Sequence, residues 1–486
     1  MNYRMIGRIT AIILAIEAVF MFPAMVICLA DGDRGPAGVF GMCAGGILLL
    51  ALALYALCRK AKKGFYAREG LVCVGLNWIL MSALGALPFV FTKAIPHFID
   101  ALFETASGFT TTGASILTQI EGIPRGILYW RSFTHWLGGM GVLVFVLAVV
   151  PLSGGRSSSG FTMHLLRAES PGPSVGKLVP RIRRTASILY LIYMLLTALC
   201  FLFLVIGGMD WFEAICTAFG CAGTGGFGVK NDSIASYSTY LQGVCTVFML
   251  LFGVNFSCYY LVLRKDFRSL VKDEELRTYL GIYLVSVGII AFNTRGYYDS
   301  FFQAFHHAAF QASSIVTTTG FATQDFNLWP SLSKGILVLL MILGSMAGST
   351  GGGFKTSRVV IVWKNCLRSI RNVLHPQKVQ VLRMNGEVLD EQVVHQTSAY
   401  LTVYVAVFLG SFLLVTLDNQ SMTTSATAVV ACLNNIGPGL DVVGPTGNYS
   451  SLSYLSKCVL IVDMLAGRLE LFPILALFSP ATWKVR

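Results

Sequence analysis

The sequence predicts an all-α polytopic membrane protein with four pseudo-symmetric helix–pore loop–helix repeats around a central pore, preceded by a two-helix hairpin. Three observations predict it. The 486-residue chain is 55% hydrophobic and only 12% charged, against roughly 25% charged in soluble domains, and its mean hydropathy is +0.68. It carries apolar runs at 9–30, 39–58, 71–91, 127–151, 186–208, 239–263, 278–293, 332–347, 397–416 and 453–478, most of them close to the roughly 20 residues a spanning helix needs. Between these runs, polar glycine-containing segments recur: GFTTTGAS (108–115), AGTGGFG (222–228), TTTGFAT (317–323) and NNIGPGL (434–440).

The first two runs, within residues 1–66, enclose no such segment and read as a hairpin outside the fourfold core. The first follows Arg4 and Arg8 and contains Glu17. It exceeds the roughly 7–15-residue apolar core of a signal peptide, so it reads as a retained span. Four repeats are expected at 67–155, 156–270, 271–375 and 376–486. The first and third match at the level of side chains: Phe103-Glu104, Ala106-Ser107 and Thr110-Thr111-Thr112-Gly113 align with Phe310-Gln311, Ser313-Ser314 and Thr317-Thr318-Thr319-Gly320. The run at 278–293 is short for a span.

Ahead of each repeated glycine lies a short, moderately apolar stretch: FIDALFETASGF, DWFEAICTAFG, FFQAFHHAAFQASS and TSATAVVACL. A helix of about three turns cannot cross a hydrocarbon core of about 30 Å at 1.5 Å per residue. The prediction is a half-helix that dips in, followed by extended polar backbone that returns, which is tolerated at membrane depth only inside protein or beside water. Carbonyl oxygens ringed around an axis can replace the hydration shell of a monovalent cation. Glycine admits the backbone angles this requires, and the negative C-terminal end of each half-helix favours a cation.

The net charge of +12 invites a nucleic-acid reading, but the basic residues fall in alternate connections. They are Arg59, Lys60, Lys62, Lys63 and Arg68; Arg156, Arg167, Lys177, Arg181, Arg183 and Arg184; Arg264, Lys265, Arg268, Lys272 and Arg277; and Lys364, Arg368, Arg371, Lys378 and Arg383. This is the positive-inside pattern. It predicts both termini in the cytoplasm, the four glycine segments toward the outside, and no nucleic-acid partner. The twelve cysteines lie mostly within apolar runs without a Cys-x-x-Cys pair and read as reduced, buried thiols, Cys216 and Cys221 included. Asp100, Glu104, Asp210, Glu213 and Asp299 fall on the outer side, where they either concentrate cations or mark half-helix ends. His306 and His307 read as packing or interfacial residues. No His-Glu-x-x-His cluster and no paired intramembrane carboxylates are present, so no catalytic residues are expected. No P-loop or dinucleotide fingerprint occurs, so no bound cofactor is expected.

Two further stretches stand out. GSMAGSTGGGFKTSR (344–358) interrupts a span with Gly344, Gly348, Gly351, Gly352 and Gly353, each costing about 1 kcal/mol in a helix relative to alanine. It predicts a mobile loop lining a cavity. AGRLELFP (466–473) places Arg468 and Glu470 in the last span, where an ionisable residue is a functional candidate. A pair two positions apart on a helix does not face itself.

On these residues the sequence resembles the Trk/Ktr/HKT superfamily of potassium transporters, within it the TrkH-type branch, over essentially the whole chain. The resemblance implies a pore derived from a potassium-channel unit. Against the channel filter Thr-Val-Gly-Tyr-Gly it aligns Thr111-Thr112-Gly113-Ala114-Ser115, Thr224-Gly225-Gly226-Phe227-Gly228, Thr318-Thr319-Gly320-Phe321-Ala322 and Asn435-Ile436-Gly437-Pro438-Gly439, with only the central glycine common to all. By resemblance potassium, the one metal expected, binds at the first three residues of each set. In plant relatives a serine at the Gly113 position accompanies sodium transport, so Gly113 implies potassium, while Ala114 and Pro438 imply a shorter filter than a channel has. The resemblance also implies that residues 345–353 obstruct the pore beneath the filter, with Gly348, Gly351, Gly352, Gly353 and Lys355 as gating residues and Arg468 projecting toward the axis. It implies a homodimer in the bacterial cytoplasmic membrane. The implied partner is a cytosolic Trk A-type nucleotide-binding ring responsive to NADH, ATP or ADP, with the basic connections 155–184 and 364–394 as docking surfaces. The expected activity is passive potassium uptake, with symport coupled to protons or sodium as the alternative.

Overall fold

The computed structural model describes residues 1–60, 66–139, 141, 182–378 and 380–483. Among them, the ten apolar runs resolve into two classes. Six form helices long and apolar enough to cross a membrane: Tyr3–Ala30, Arg34–Leu57, Arg68–Phe91, Ala186–Ile206, Glu274–Tyr297 and Glu391–Asp418. The run at 278–293 belongs to this class, because its helix begins earlier, at Glu274, where the Asp273 side chain caps the Leu276 N–H. Of the other four runs, those that follow the glycine segments, the last three are broken and the first is described as a helix as far as Gly139.

The N-terminal hairpin pairs Tyr3–Phe20 and Phe22–Ala30 with Arg34–Leu57. The first helix restarts at Pro23, which has no N–H to continue the ladder. Ile9, Ile13 and Phe40 face inward, while Leu49 and Leu57 are exposed, as expected of a lipid-facing surface. The hairpin packs closely on the core: a Cβ added at Gly126 would overlap Cys28 Sγ.

Each remaining long helix leads into a short one: Phe98–Phe109, Trp211–Gly223, Phe301–Val316 and Met422–Leu433. Asp210, Ser300 and Ser421 cap three of these starts by accepting the Phe212, Gln303 and Thr424 N–H groups, the usual use of Asp and Ser at that position. Even the longest, with 16 residues, spans only about 24 Å at 1.5 Å per residue. The helices are enclosed where they end: 103–110, 216–225, 310–319 and 427–437 are buried throughout. That is where the polar loop backbone begins, and membrane depth permits such backbone only within protein.

After the loops come Arg125–Gly139, Thr239–Phe252, Ser331–Leu343 and Tyr454–Arg468, none longer than 15 residues. The second turns by 90° into Phe256–Leu263, the third enters a long loop before Thr356–Leu374, and the fourth resumes as Phe472–Phe478. The described helices end within one residue of Gly139, Gly253, Gly344 and Gly467. The β-structure among the described residues is one two-residue hairpin, Arg383–Met384 with Glu387–Val388, turned by Asn385 and Gly386 at positive φ. The twelve cysteines are free, and all but Cys366 and Cys458 are buried.

Candidate functional site: a four-loop ring and the loop beneath it

Each short helix ends with the same two bonds. The N–H of Thr111, Thr224, Thr318 and Asn435 donates three residues back, to the carbonyls of Gly108, Cys221, Ile315 and Cys432, at 3.0–3.2 Å. The next N–H, of Thr112, Gly225, Thr319 and Ile436, donates five residues back, to Ser107, Gly220, Ser314 and Ala431, at 2.8–2.9 Å. This is the Schellman cap, whose pivotal residue is left-handed and usually glycine. Here the pivots are Thr111, Thr224, Thr318 and Asn435, with φ of 56°, 52°, 59° and 56°. A β-branched residue at positive φ is an outlier that persists only where its surroundings over-determine it.

Two residues on, Gly113, Gly226, Gly320 and Gly437 also have positive φ, 78°, 74°, 86° and 95°. Alternating the sign of φ turns successive carbonyls to one side, where a regular strand would alternate them. The four glycines also close a circuit. A Cβ at Gly113 would overlap the Gly225 carbonyl oxygen, one at Gly226 that of Thr319, and one at Gly320 that of Ile436; one at Gly437 would stand 2.6 Å from that of Thr112. The same Gly113 Cβ would lie 3.7 Å from the Thr319 oxygen of the opposite repeat. The twelve residues of the four Thr/Asn-x-Gly triplets therefore meet in one narrow ring of carbonyl oxygens, under the negative ends of four helices.

The ring is braced from behind. Glu104 accepts from Arg131 Nε at 2.6 Å, Ser115 Oγ at 2.9 Å and the Ile116 N–H at 2.9 Å. Arg131 donates to the Gly228 carbonyl at 2.9 Å and covers the Phe227 ring at 3.6 Å, so one buried ion pair ties the first loop to the second. Gln311, aligned with Glu104, accepts from the Thr323 N–H at 2.9 Å once its amide is oriented to satisfy its neighbours. Thr427 receives the Leu440 N–H at 2.9 Å. Glu104 thus does not concentrate cations on the outer surface: its helix turns it inward to neutralise Arg131. Asp100 pairs with Lys457 at 2.7 Å, and Glu213 lies 3.7 Å from Lys230, both structural contacts at half-helix ends, while Asp299 is exposed. His306 bonds Gln242 at 2.8 Å and His307 bonds Thr323 at 3.1 Å.

Residues 344–355 fold against the underside of the ring. The Gly352 N–H donates to Thr318 Oγ1 at 2.7 Å, and a Cβ at Gly352 would overlap the Asn434 carbonyl oxygen. A Cβ at Gly351 would stand 2.8 Å from the Thr317 carbonyl oxygen. Gly344, Gly348 and Gly353 have φ of 69°, 73° and 81°. Lys355 is buried and donates to the Gly351 carbonyl within its own loop. Glu275 Oε1 accepts the N–H of Ala347 at 2.6 Å and of Ser357 at 3.0 Å, clamping both ends of the segment. Arg468 reaches in from the last repeat, giving Nη1 to the Thr350 carbonyl at 2.7 Å and Nη2 to the Gly138 and Gly139 carbonyls at 2.6 Å each. The helix end of the first repeat and the breaks of the third and fourth therefore meet at one side chain. Glu470 pairs with Arg358 instead of Arg468. The helix ends at Arg468, and Glu470 and Leu471 have φ of 57° and 67°.

Compared with known proteins, residues 42–485 match the family model TrkH, described as "Cation transport protein". This chain belongs to the TrkH family. The Trk system potassium uptake protein TrkH of Escherichia coli (strain K12) is 34% identical over 491 residues, covering 100% of both chains. The Trk system potassium uptake protein TrkG of the same strain is 31% identical over 99% of each. Among solved structures, the potassium transporter TrkH from Vibrio parahaemolyticus superposes with a TM-score of 0.89 at 30% identity, covering 100% of both chains. The relatives are transport proteins and not enzymes.

The filter residues read from the sequence lie in the ring, Gly348, Gly351, Gly352, Gly353 and Lys355 lie in the loop under it, and Arg468 reaches that loop from the end of Tyr454–Arg468. The basic connection 155–184 falls almost entirely outside the described residues. Within 364–394, Lys364 pairs with Glu274, and Asn385 exchanges bonds with Glu274 and Asp273 at 2.8–3.1 Å. Arg131, His135 and Glu275 escaped the sequence reading. Arg131 and His135 lie inside the apolar run 127–151, and an ionisable residue at that depth is by itself a pointer.

Proposed function

We propose that this protein takes up potassium across the bacterial cytoplasmic membrane through a passive, channel-like pore, with the four-loop ring as selectivity filter. The closed circuit of glycines carries this reading. Carbonyl oxygens from four chain segments at one level, without fixed charge, suit a dehydrated monovalent cation. The names of the relatives, Trk system potassium uptake proteins, support the same substrate. Thr111, Thr112, Gly113, Thr224, Gly225, Gly226, Thr318, Thr319, Gly320, Asn435, Ile436 and Gly437 hold the ion.

Residues 345–353 are the gate. Gly348, Gly351, Gly352 and Gly353 give the loop its turns, Lys355 ties it to itself, and Arg468 locks it while placing a positive charge below the filter. Opening requires Arg468 to release the Thr350 carbonyl. A cytosolic Trk A-type nucleotide-binding ring would act from the side of residues 364–394, in a homodimer with both termini cytoplasmic. The division of the chain at 66, 155, 270 and 375 belongs to the same reading.

Symport coupled to protons or sodium is the second reading, and Asp463 favours its proton form. This buried carboxylate bonds Ser411 at 2.7 Å and leaves its other oxygen unpartnered, one turn before the break at Gly467. Reversal potentials of the purified protein in liposomes, under potassium and then sodium gradients at two pH values, decide between the readings. A passive filter gives the potassium equilibrium value at both pH values, shifted toward sodium by Gly113→Ser. A reversal that follows the proton gradient overturns it.

A further inference from the structure

The residue before each ring glycine is Thr112, Gly225, Thr319 and Ile436, so the second repeat alone presents no side chain there. In the first and third repeats this threonine is braced from within its own loop: Thr112 Oγ1 lies 2.8 Å from Thr110 Oγ1, and Thr319 Oγ1 lies 2.8 Å from Thr317 Oγ1. Asn435 of the fourth repeat adds a bond to Thr112 Oγ1 at 3.0 Å. The second repeat has Gly223 and Gly225 at both corresponding positions and can form no such brace.

His135 occupies that volume from the neighbouring repeat. A Cβ at Gly225 would overlap Cγ and Nδ1 of its imidazole, and one at Gly223 would overlap its backbone carbonyl. The side chain is wholly buried. Its ring stacks on Phe227, the residue after the ring glycine, with centroids 4.0 Å apart and planes 24° from parallel. The Ser107 backbone faces the imidazole as its nearest hydrogen-bonding group and the Arg131 guanidinium lies nearby, but neither ring nitrogen reaches a partner in good hydrogen-bond geometry. Burying an unpaired polar atom costs about 1–3 kcal/mol. An aliphatic side chain would avoid that cost, so the flat ring is kept for its shape against Gly225 and Phe227.

We propose that His135 is a positioning residue of the selectivity ring: its imidazole stands in for the side chain the second repeat lacks and holds the Gly225 carbonyl in place. Sodium is smaller than potassium, so a carbonyl free to shift inward accommodates it, and His135 thereby sets discrimination between the two ions. The inference rests on the reading of the ring as the cation filter.

The test is the potassium-to-sodium permeability ratio of the full-length protein in liposomes, read from reversal potentials. His135→Ala is expected to lower the ratio about tenfold, the equivalent of about 1.4 kcal/mol, while His135→Gln, planar and of similar reach, keeps most of it. Gly225→Ala alone is expected to abolish potassium flux, because its Cβ meets the imidazole. The double variant His135→Ala with Gly225→Ala is expected to conduct and to regain selectivity over His135→Ala. If His135→Ala folds poorly, the yield of folded protein reads the same rescue, and a double variant no better than His135→Ala overturns the proposal. So does a wild-type ratio in His135→Ala, or tolerance of Gly225→Ala in the presence of His135. A wild-type protein with no preference between the two ions would instead overturn the filter reading itself.

Discussion

The ring and the loop beneath it are made of the same material, glycine-rich irregular backbone at membrane depth, but they are held by different means. The ring is anchored first by its own main chain, one pair of cap bonds per repeat repeated four times, with the ring glycines against the next loop's carbonyl and side chains such as Glu104 and Thr427 bracing it from behind. The 344–355 loop borrows its anchors from other elements, among them Glu275, Thr318 and Arg468. Main-chain caps form with the helices that carry them and cannot be released singly. Side-chain clamps can be withdrawn one at a time. The difference separates a part that must keep its radius from a part that can move.

The largest expected effect breaks the ring. Gly226→Ala or Gly320→Ala places a Cβ on a neighbouring carbonyl oxygen and forces a left-handed backbone that alone costs roughly 1–2 kcal/mol. Loss of measurable rubidium tracer uptake into liposomes is expected, with the protein still recovered folded. Normal uptake would mean that the ring tolerates expansion and is no filter.

Arg468→Ala should come next and act on the loop only. It removes a charged donor from three carbonyls, and hydrogen bonds to charged groups contribute roughly 1.5–3 kcal/mol. The expectation is a ten- to hundredfold rise in tracer flux without any soluble partner, at an unchanged reversal potential. A shifted reversal potential would merge the two regions that the comparison separates.

Glu275→Gln is a milder version. It keeps an acceptor oxygen but loses its charge, so a few-fold rise in basal flux is expected, in keeping with about 1 kcal/mol for one hydrogen bond. The smallest effect is expected from Asn385→Ala, which removes the two side-chain bonds from the hairpin turn to the Glu274 N–H and the Asp273 carboxylate and keeps the bond from the residue 385 N–H to Glu274. Faster amide exchange around residues 273–276 is the readout, with flux nearly unchanged. A large flux change there would place the hairpin inside the gate.

Much of this was legible beforehand. The four glycine segments announced themselves because no lipid-facing helix carries Thr110-Thr111-Thr112-Gly113 or Gly351-Gly352-Gly353, and the register of the four triplets followed from aligning Gly113, Gly226, Gly320 and Gly437. The broken character of the spans after the loops was legible only at 344–358. At Gly253 too few glycines interrupt an otherwise apolar run for composition to betray the bend. Glu104 sits mid-way along Phe98–Phe109, and its inward orientation is settled only when Arg131, on the next helix, is brought beside it.

Composition, hydropathy and local repetition by themselves determined the class of the molecule, the positions of its short helices and the identity of the ring glycines. Each of these depends on a residue's own backbone preference or on its transfer from water into lipid, which need no knowledge of neighbours. Tertiary structure alone decided that each ring glycine faces the next repeat's carbonyl, that Arg468 joins the ends of helices from three repeats, that Glu275 clamps the loop and that His135 fills the place of a missing side chain. Those facts arise where segments seventy or more residues apart meet, and contact at that range is settled only when the whole chain has packed.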